Sequence, residues 1–154
     1  MFAKAKEHLD KYGMGELVAE FDVSSATVGE AAIAVGVTEG EIAKTLSFLV
    51  DDKPILIVVA GDVKIDNAKY KSRFHAKAKM IPFESVEELI GHAVGGVCPF
   101  GINDGVGVYL DESLRRFEIV YPACGSSNSA VKMTIAQLEE ASGFVEWIDV
   151  CKGI

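Results

Sequence analysis

A chain of 154 residues, of which 49% are hydrophobic, has the size of one domain and enough apolar side chain to build a core. Its longest uncharged apolar run, Pro54 to Gly61, has strand length and falls far short of the roughly 18 to 20 residues a membrane helix needs, so no membrane association is expected. A net charge of −8 argues against a general nucleic-acid binder, and no DNA partner is expected, because phosphate binding depends on Lys and Arg releasing counterions.

The N-terminal stretch Met1-Phe2-Ala3-Lys4-Ala5-Lys6-Glu7 is charged and amphipathic and lacks the apolar core of a signal peptide, which reads as a cytoplasmic protein. Ala3 to Tyr12 has helical spacing with Gly13 as its stop, and Leu17 to Phe21 reads as a short strand. Thr27-Val28-Gly29-Glu30 is a capping box, in which threonine and glutamate satisfy each other's orphan backbone donors, and it opens a helix through Val35 that Gly36 ends. A second box, Thr38-Glu39-Gly40-Glu41, predicts a short helix running into the strand Leu46 to Val50. Asp51-Asp52-Lys53-Pro54 is a turn, so that strand and Ile55 to Ala60 form an antiparallel hairpin at the centre of a sheet.

Asn67 to Phe74 is helical, and Ser85-Val86-Glu87-Glu88 caps another helix that ends at Gly91. Gly95, Gly96, Gly101 and Pro99 exclude both helix and central strand from Val94 to Gly101, which must be a shaped loop. Val106 to Leu110 and Phe117 to Tyr121 are strands around a turn at Asp111 to Arg116. The polar loop Cys124 to Ser129 precedes a strand at Ala130 to Met133. Thr134-Ile135-Ala136-Gln137 caps a helix, and Phe144 to Val150 closes the sheet. The pattern predicts a single α+β domain, a mixed curved sheet with flanking helices, over residues 1–154.

Several groups carry possible chemistry. Cys98, Cys124 and Cys151 are an odd number at wide spacing and fit neither a disulfide framework nor a paired zinc motif, so reduced thiols and no metal site are expected. Cys98 and His92 are close enough in sequence to raise a thiol hydrolase, yet no third orienting group is evident. The glycine-rich loop is followed by no GK[ST] and contains no GxGxxG, so nucleotide binding of those kinds is not supported and no cofactor is expected. Its bare backbone could grip a small acyl group or a ribose, or simply make a tight turn.

Lys44 stands at the expected junction of helix and strand. A lysine there can hold a phosphate or polarise an ester carbonyl, and can equally complement the helix dipole. Between Lys64 and Lys79 lie Lys64, Lys69, Lys71, Arg73, Lys77 and Lys79 against the single acid Asp66, a locally basic segment in an acidic chain.

Three stretches together resemble the YbaK/prolyl-tRNA-synthetase-associated domain in order and spacing: Ala43-Lys44-Thr45-Leu46, the loop Gly95-Gly96-Val97-Cys98-Pro99-Phe100-Gly101, and Gly125-Ser126-Ser127-Asn128-Ser129 with the following Ala130 to Thr134. The similarity extends to Thr27 to Ala34 and to Ile55 to Asp62. The resemblance implies a curved sheet enclosing a pocket and hydrolysis of the ester that joins a mischarged amino acid to the 3′-terminal adenosine of tRNA, commonly alanine or cysteine on tRNA for proline. It implies that Lys44 is the essential lysine, that Gly95 to Gly101 is the active-site loop, and that Gly125 to Ser129 is a second substrate loop.

Relatives carry histidine or, slightly later, aspartate in that second loop, where this chain has Ser129 and Ala130. Cys98 is often serine in relatives, which weighs against a thiol nucleophile. The expected partners are an aminoacylated tRNA, contacted through Lys64, Lys69, Lys71 and Arg73, and a synthetase that could add affinity. The rival readings are a domain that grips the aminoacyl end without hydrolysing it and a Cys98-dependent thiol hydrolase.

Overall fold

The computed structural model describes residues 1–153. Its centre is the hairpin of β2 (Ile42–Val50) and β3 (Lys53–Ala60), turned by Asp51 and Asp52, both at positive φ. That two-residue geometry matches the natural twist of paired strands. In β3, Leu56 to Ala60 are fully buried, as expected of a strand covered on both faces.

Around the hairpin the main sheet runs in the order β8-β6-β2-β3-β5-β9, from β5 (Gly107–Asp111), β6 (Ile119–Pro122), β8 (Met133–Thr134) and β9 (Glu146–Ile148). β6 lies parallel to β2 and β5 parallel to β3, so the two strands expected around one turn sit on opposite sides of the hairpin. The five-residue 3-10 segment Glu112–Arg116 lies on the connection between them. Buried Asp111 anchors this corner: its carboxylate accepts hydrogen bonds from the Ser113 and Val150 N–H groups, each at 2.9 Å.

Two small ribbons complete the sheets. β1 (Val18–Glu20) pairs with β7 (Ser129–Val131), and β4 (Val63–Ile65) pairs with β10 (Cys151–Gly153), an element the local sequence does not announce. The single strand expected over Ala130 to Met133 is split, because the Lys132 N–H leaves the main sheet to donate to the Leu17 carbonyl. Phe144 to Val150 does reach the sheet edge, through β9 beside β5.

Five helices flank the sheets: α1 (Phe2–Asp10), α2 (Val28–Val35), α3 (Asn67–Phe74), α4 (Val86–Ile90) and α5 (Ile135–Ser142). The boxes at Thr27 and Thr134 form as expected, with left-handed glycines at Gly36 and Gly143 closing α2 and α5. Ser85 does not cap α4 through its side chain, since it already belongs to a 3-10 turn over Phe83–Ser85.

The Thr38 box closes only one 3-10 turn, Glu39–Glu41, and β2 begins at Ile42. Lys44 is therefore inside the ladder opposite Val59, not at a helix end. Pairing with β3 overrides the local helix signal, and the dipole-complementing role for Lys44 falls with it.

Candidate active site

β2 has β3 along one edge, but its other edge is only partly covered. The parallel ladder with β6 stops after Ile42↔Tyr121 and Ala43↔Pro122. Cover resumes where the Ile81 N–H donates to the Ser47 carbonyl at 3.2 Å and the Leu49 N–H donates to the Lys79 carbonyl at 2.8 Å. Lys44, Thr45 and Leu46 lie in the gap. Because alternate residues direct their backbone groups to alternate edges, Thr45 shares the orientation of Ser47 and Leu49 and presents its N–H and carbonyl there. A cavity of about 380 Å3 opens on this stretch, walled by α2, the Met80–Val86 segment, the loop at Gly95 and Val97, and the start of β7.

Of the residues singled out in the sequence, the structure brings Lys44, Thr27, Gly95, Val97 and Ser129 to this cavity. The Lys44 side chain is half-buried and its Nζ donates to the Val63 carbonyl at 2.5 Å. Burial pulls its pKa below the ordinary lysine value, while Cys151 and Asp62 oppose that shift. Asp62 is itself fixed by a two-pronged pair with Arg116, at 3.0 and 2.5 Å, and the hydrogen bond from that guanidinium holds its carboxyl below the usual range. This Asp62–Arg116 pair beside the lysine was not anticipated, since its members lie far apart in sequence.

The remainder of both loops supports the site from behind. Gly96 lies against the second loop so closely that a Cβ there would meet the Ser126 nitrogen at 2.6 Å and the Gly125 carbonyl carbon at 2.7 Å. Gly101 and Gly125, both at positive φ, lie against the backbone of Lys4 and Met1. Ser126 binds Ser129 Oγ at 2.6 Å and Asn128 at 3.0 Å, while Asn128 donates to the Phe21 carbonyl and the Ser127 carbonyl accepts from the Ser25 N–H. Cys98, Pro99 and Phe100 are buried. Gly96, Cys98, Pro99, Phe100, Gly101 and Gly125 to Asn128 do not line this cavity, so of the loop expected to form the active site only Gly95 and Val97 reach it, and of the second loop only Ser129. Buried Ser25 and half-buried Tyr121 also line it and carried no local signal, and Thr45 joins them from the stretch that contains Lys44.

The Cys98–His92 pair is close without being a catalytic pair. Both side chains are fully buried, with Cys98 Sγ 3.6 Å from His92 Nε2. That nitrogen must carry a proton to donate to the Phe100 carbonyl at 2.6 Å, so it cannot also accept one from the thiol. Burial pushes the Cys98 thiol up to about 12 and lowers the His92 pKa. We predict that Cys98→Ser keeps kcat within about tenfold of wild type, whereas loss of a nucleophile would cost about a thousandfold or more. Iodoacetamide should leave the native thiol unmodified, and rapid inactivation by it would contradict this assignment.

In the basic segment, Lys69 pairs with Asp149 at 3.1 Å, and Arg73 pairs with Glu146 while its guanidinium lies over the Phe74 and Tyr109 rings. Lys64 and Lys71 form no salt bridge among the described residues, and Lys71 shares a surface groove with Asn67 and Lys77. Half of the expected tRNA-facing charge is thereby committed within the fold. Among the described residues no group of three or more His, Cys, Asp or Glu could hold a metal, and no helix is long and apolar enough to cross a membrane.

The profile of the aminoacyl-tRNA editing domain matches residues 22–141, a span that includes the gap in β2, Lys44 and both loops. The chain belongs to that family. Editing-domain relatives include the Bacillus subtilis protein YwhH, 50% identical over 148 residues that cover 96% of this chain and 94% of that one. The proline–tRNA ligase of Geobacillus sp. (strain WCH70) is 29% identical over 102 residues, 66% of this chain but only 18% of the ligase. A crystal structure described as a candidate trans-editing enzyme for prolyl tRNA synthetase superimposes with a TM-score of 0.88 and 32% identity, covering 99% of this chain and 97% of the other. The editing-domain fold therefore extends over nearly all of the chain.

Proposed function

We propose that this editing domain is an aminoacyl-tRNA deacylase that hydrolyses the ester of a mischarged tRNA, with alanine or cysteine on tRNA for proline as the first candidates. The observation that carries the reading is the cavity at the interrupted edge of β2, with Lys44 and the exposed backbone edge of Thr45 in one wall of a chain that belongs to the editing family.

An aminoacyl ester is already activated, so catalysis requires mainly positioning and charge stabilisation. The Thr45 carbonyl suits an α-ammonium and its N–H suits an ester carbonyl. Lys44, released from the Val63 carbonyl, supplies positive charge to the oxyanion that forms when water attacks. Gly95 lets the chain approach without a side chain, while Val97 and Ser129 bound the acyl side chain. The similarity to a described trans-editing enzyme and to part of proline–tRNA ligases supports the choice of tRNA, and a synthetase partner would add affinity. Lys64 and Lys71, with Lys69 and Arg73 behind them, provide a path for the acceptor stem.

The test is release of free amino acid from a panel of mischarged tRNAs under multiple turnover. Alanine or cysteine should be removed from tRNA for proline, with prolyl-tRNA spared. Stable binding without turnover would identify a non-catalytic domain, and preferential hydrolysis of an aromatic aminoacyl-tRNA would overturn the size argument.

A further inference from the structure

An aminoacyl group inside the cavity leaves its terminal nucleoside at the mouth, because the ester joins the amino acid directly to the ribose. Three exposed large apolar side chains stand at that mouth: Met80, 57% exposed, Phe83, 76% exposed, and Val94, 49% exposed. Phe83 holds its position through local structure, following Pro82 at the start of the 3-10 turn that leads into α4, whose Val86 is buried. Its ring forms none of the aromatic pairs or cation–π contacts among the described residues. The basic segment runs directly into this rim, with exposed Lys77 and Lys79 preceding Met80, while Glu84 lies just beyond. A neutral aromatic face, cations on the approach and an acid past the ring suit a base whose phosphates lie on the Lys79 side.

Resting on the deacylase reading, we propose that Phe83, flanked by Met80 and Val94, is the stacking platform for the unpaired terminal base of aminoacyl-tRNA. It positions the substrate and takes no part in bond breaking. Stacking is tolerant of base identity, because every base has a π face, and its loss costs about 1 to 3 kcal/mol per base, roughly a 5- to 150-fold change in affinity. The platform therefore recognises a single-stranded nucleotide end, while selection among amino acids is left to the cavity.

The experiment uses tRNA for proline carrying 2-aminopurine as its terminal base and alanine attached through a hydrolysis-resistant 3′-amide. Wild-type protein should quench the 2-aminopurine fluorescence on binding. Phe83→Ala should lose the quench and bind at least about fivefold more weakly, and Phe83→Trp should restore both. With alanine ethyl ester, which has no base, Phe83→Ala should hydrolyse as wild type does, which excludes a general structural effect. Binding by wild type without a fluorescence change, or equal loss by Phe83→Ala on both substrates, overturns the proposal even if deacylation is confirmed. Quenching that depends on Phe83 in a protein that never releases alanine sustains the platform and refutes the deacylase reading.

Discussion

Lys44→Ala should abolish deacylation while the protein still folds. Removing a charge that stabilises a developing oxyanion costs about 3 to 4 kcal/mol, a hundred- to thousandfold in kcat. The structural cost is smaller, because the variant leaves the Val63 carbonyl without its donor, worth about 1 to 3 kcal/mol, but also removes a partly desolvated cation. Lys44→Arg keeps charge with a different reach and should recover only part of the rate.

The pH dependence gives a second readout. The folded-state pKa of Lys44 lies below its unfolded value, so the proton needed for charge stabilisation is lost earlier on the alkaline side than for an ordinary lysine. Between the two pKa values the unfolded chain binds more protons than the folded one, so this group makes stability rise with pH where activity falls. The buried thiols of Cys98, Cys124 and Cys151, pushed up to about 12, 11 and 12, make stability fall over the same alkaline range. The Lys44 contribution is therefore read as the stability difference between wild type and Lys44→Ala, which should shift in favour of wild type as pH rises while wild-type turnover, corrected for spontaneous ester hydrolysis, falls. A lysine that merely tethers β2 to Val63 would leave kcat near wild type in Lys44→Ala.

Much of the fold was legible because its signals are local. The Thr27 and Thr134 boxes, the Gly36 stop and the Asp51-Asp52 turn each depend on residues within a few positions of one another. Thr38 shows where local reading fails: its hydroxyl and N–H do bind Glu41, yet the ladder from Ala43↔Ala60 onward claims the next residues for β2. That one change moves Lys44 from a helix end into a cavity wall. The β4–β10 ribbon and the Asp62–Arg116 pair were invisible because distant segments form them.

The site was legible to a similar depth. Lys44, Gly95 and Ser129 could be marked in advance by resemblance, but not the gap between β6 and Met80 that makes Lys44, Thr45 and Leu46 accessible. The loop glycines were correctly placed in loops, and Gly95 does reach the cavity. Most of them accommodate backbone, as Gly101 does at Lys4 and Gly125 at Met1. Nothing adjacent to Phe83 indicates that an exposed ring stands at a cavity mouth, since that follows only from how α4 docks.

Gly96→Ala is expected to impair both stability and activity, and it tests whether the two loops act as one unit. An added Cβ would meet the Ser126 nitrogen at 2.6 Å, the Gly125 carbonyl carbon at 2.7 Å and the Ser126 Cα at 2.8 Å. All three are backbone atoms, so no side chain can swing aside and the loops must separate. Overpacking of this kind costs about 1 to 3 kcal/mol, enough to lower the melting temperature by several degrees. The functional effect should be larger. Gly95 and Val97 flank the displaced residue and line the cavity, and Ser126 holds Ser129 on the opposite side. A shift of about 1 Å at a reacting centre can cost about a hundredfold in rate. Gly29→Ala is the matched control, because its Cβ would meet nothing within 4 Å and it lies in α2, where alanine is the better helix former by up to about 1 kcal/mol. That control should melt no lower than wild type and keep its turnover. If Gly96→Ala loses stability but retains kcat on alanyl-tRNA, the contact between the loops serves the fold alone and the placement of Ser129 is irrelevant to the chemistry.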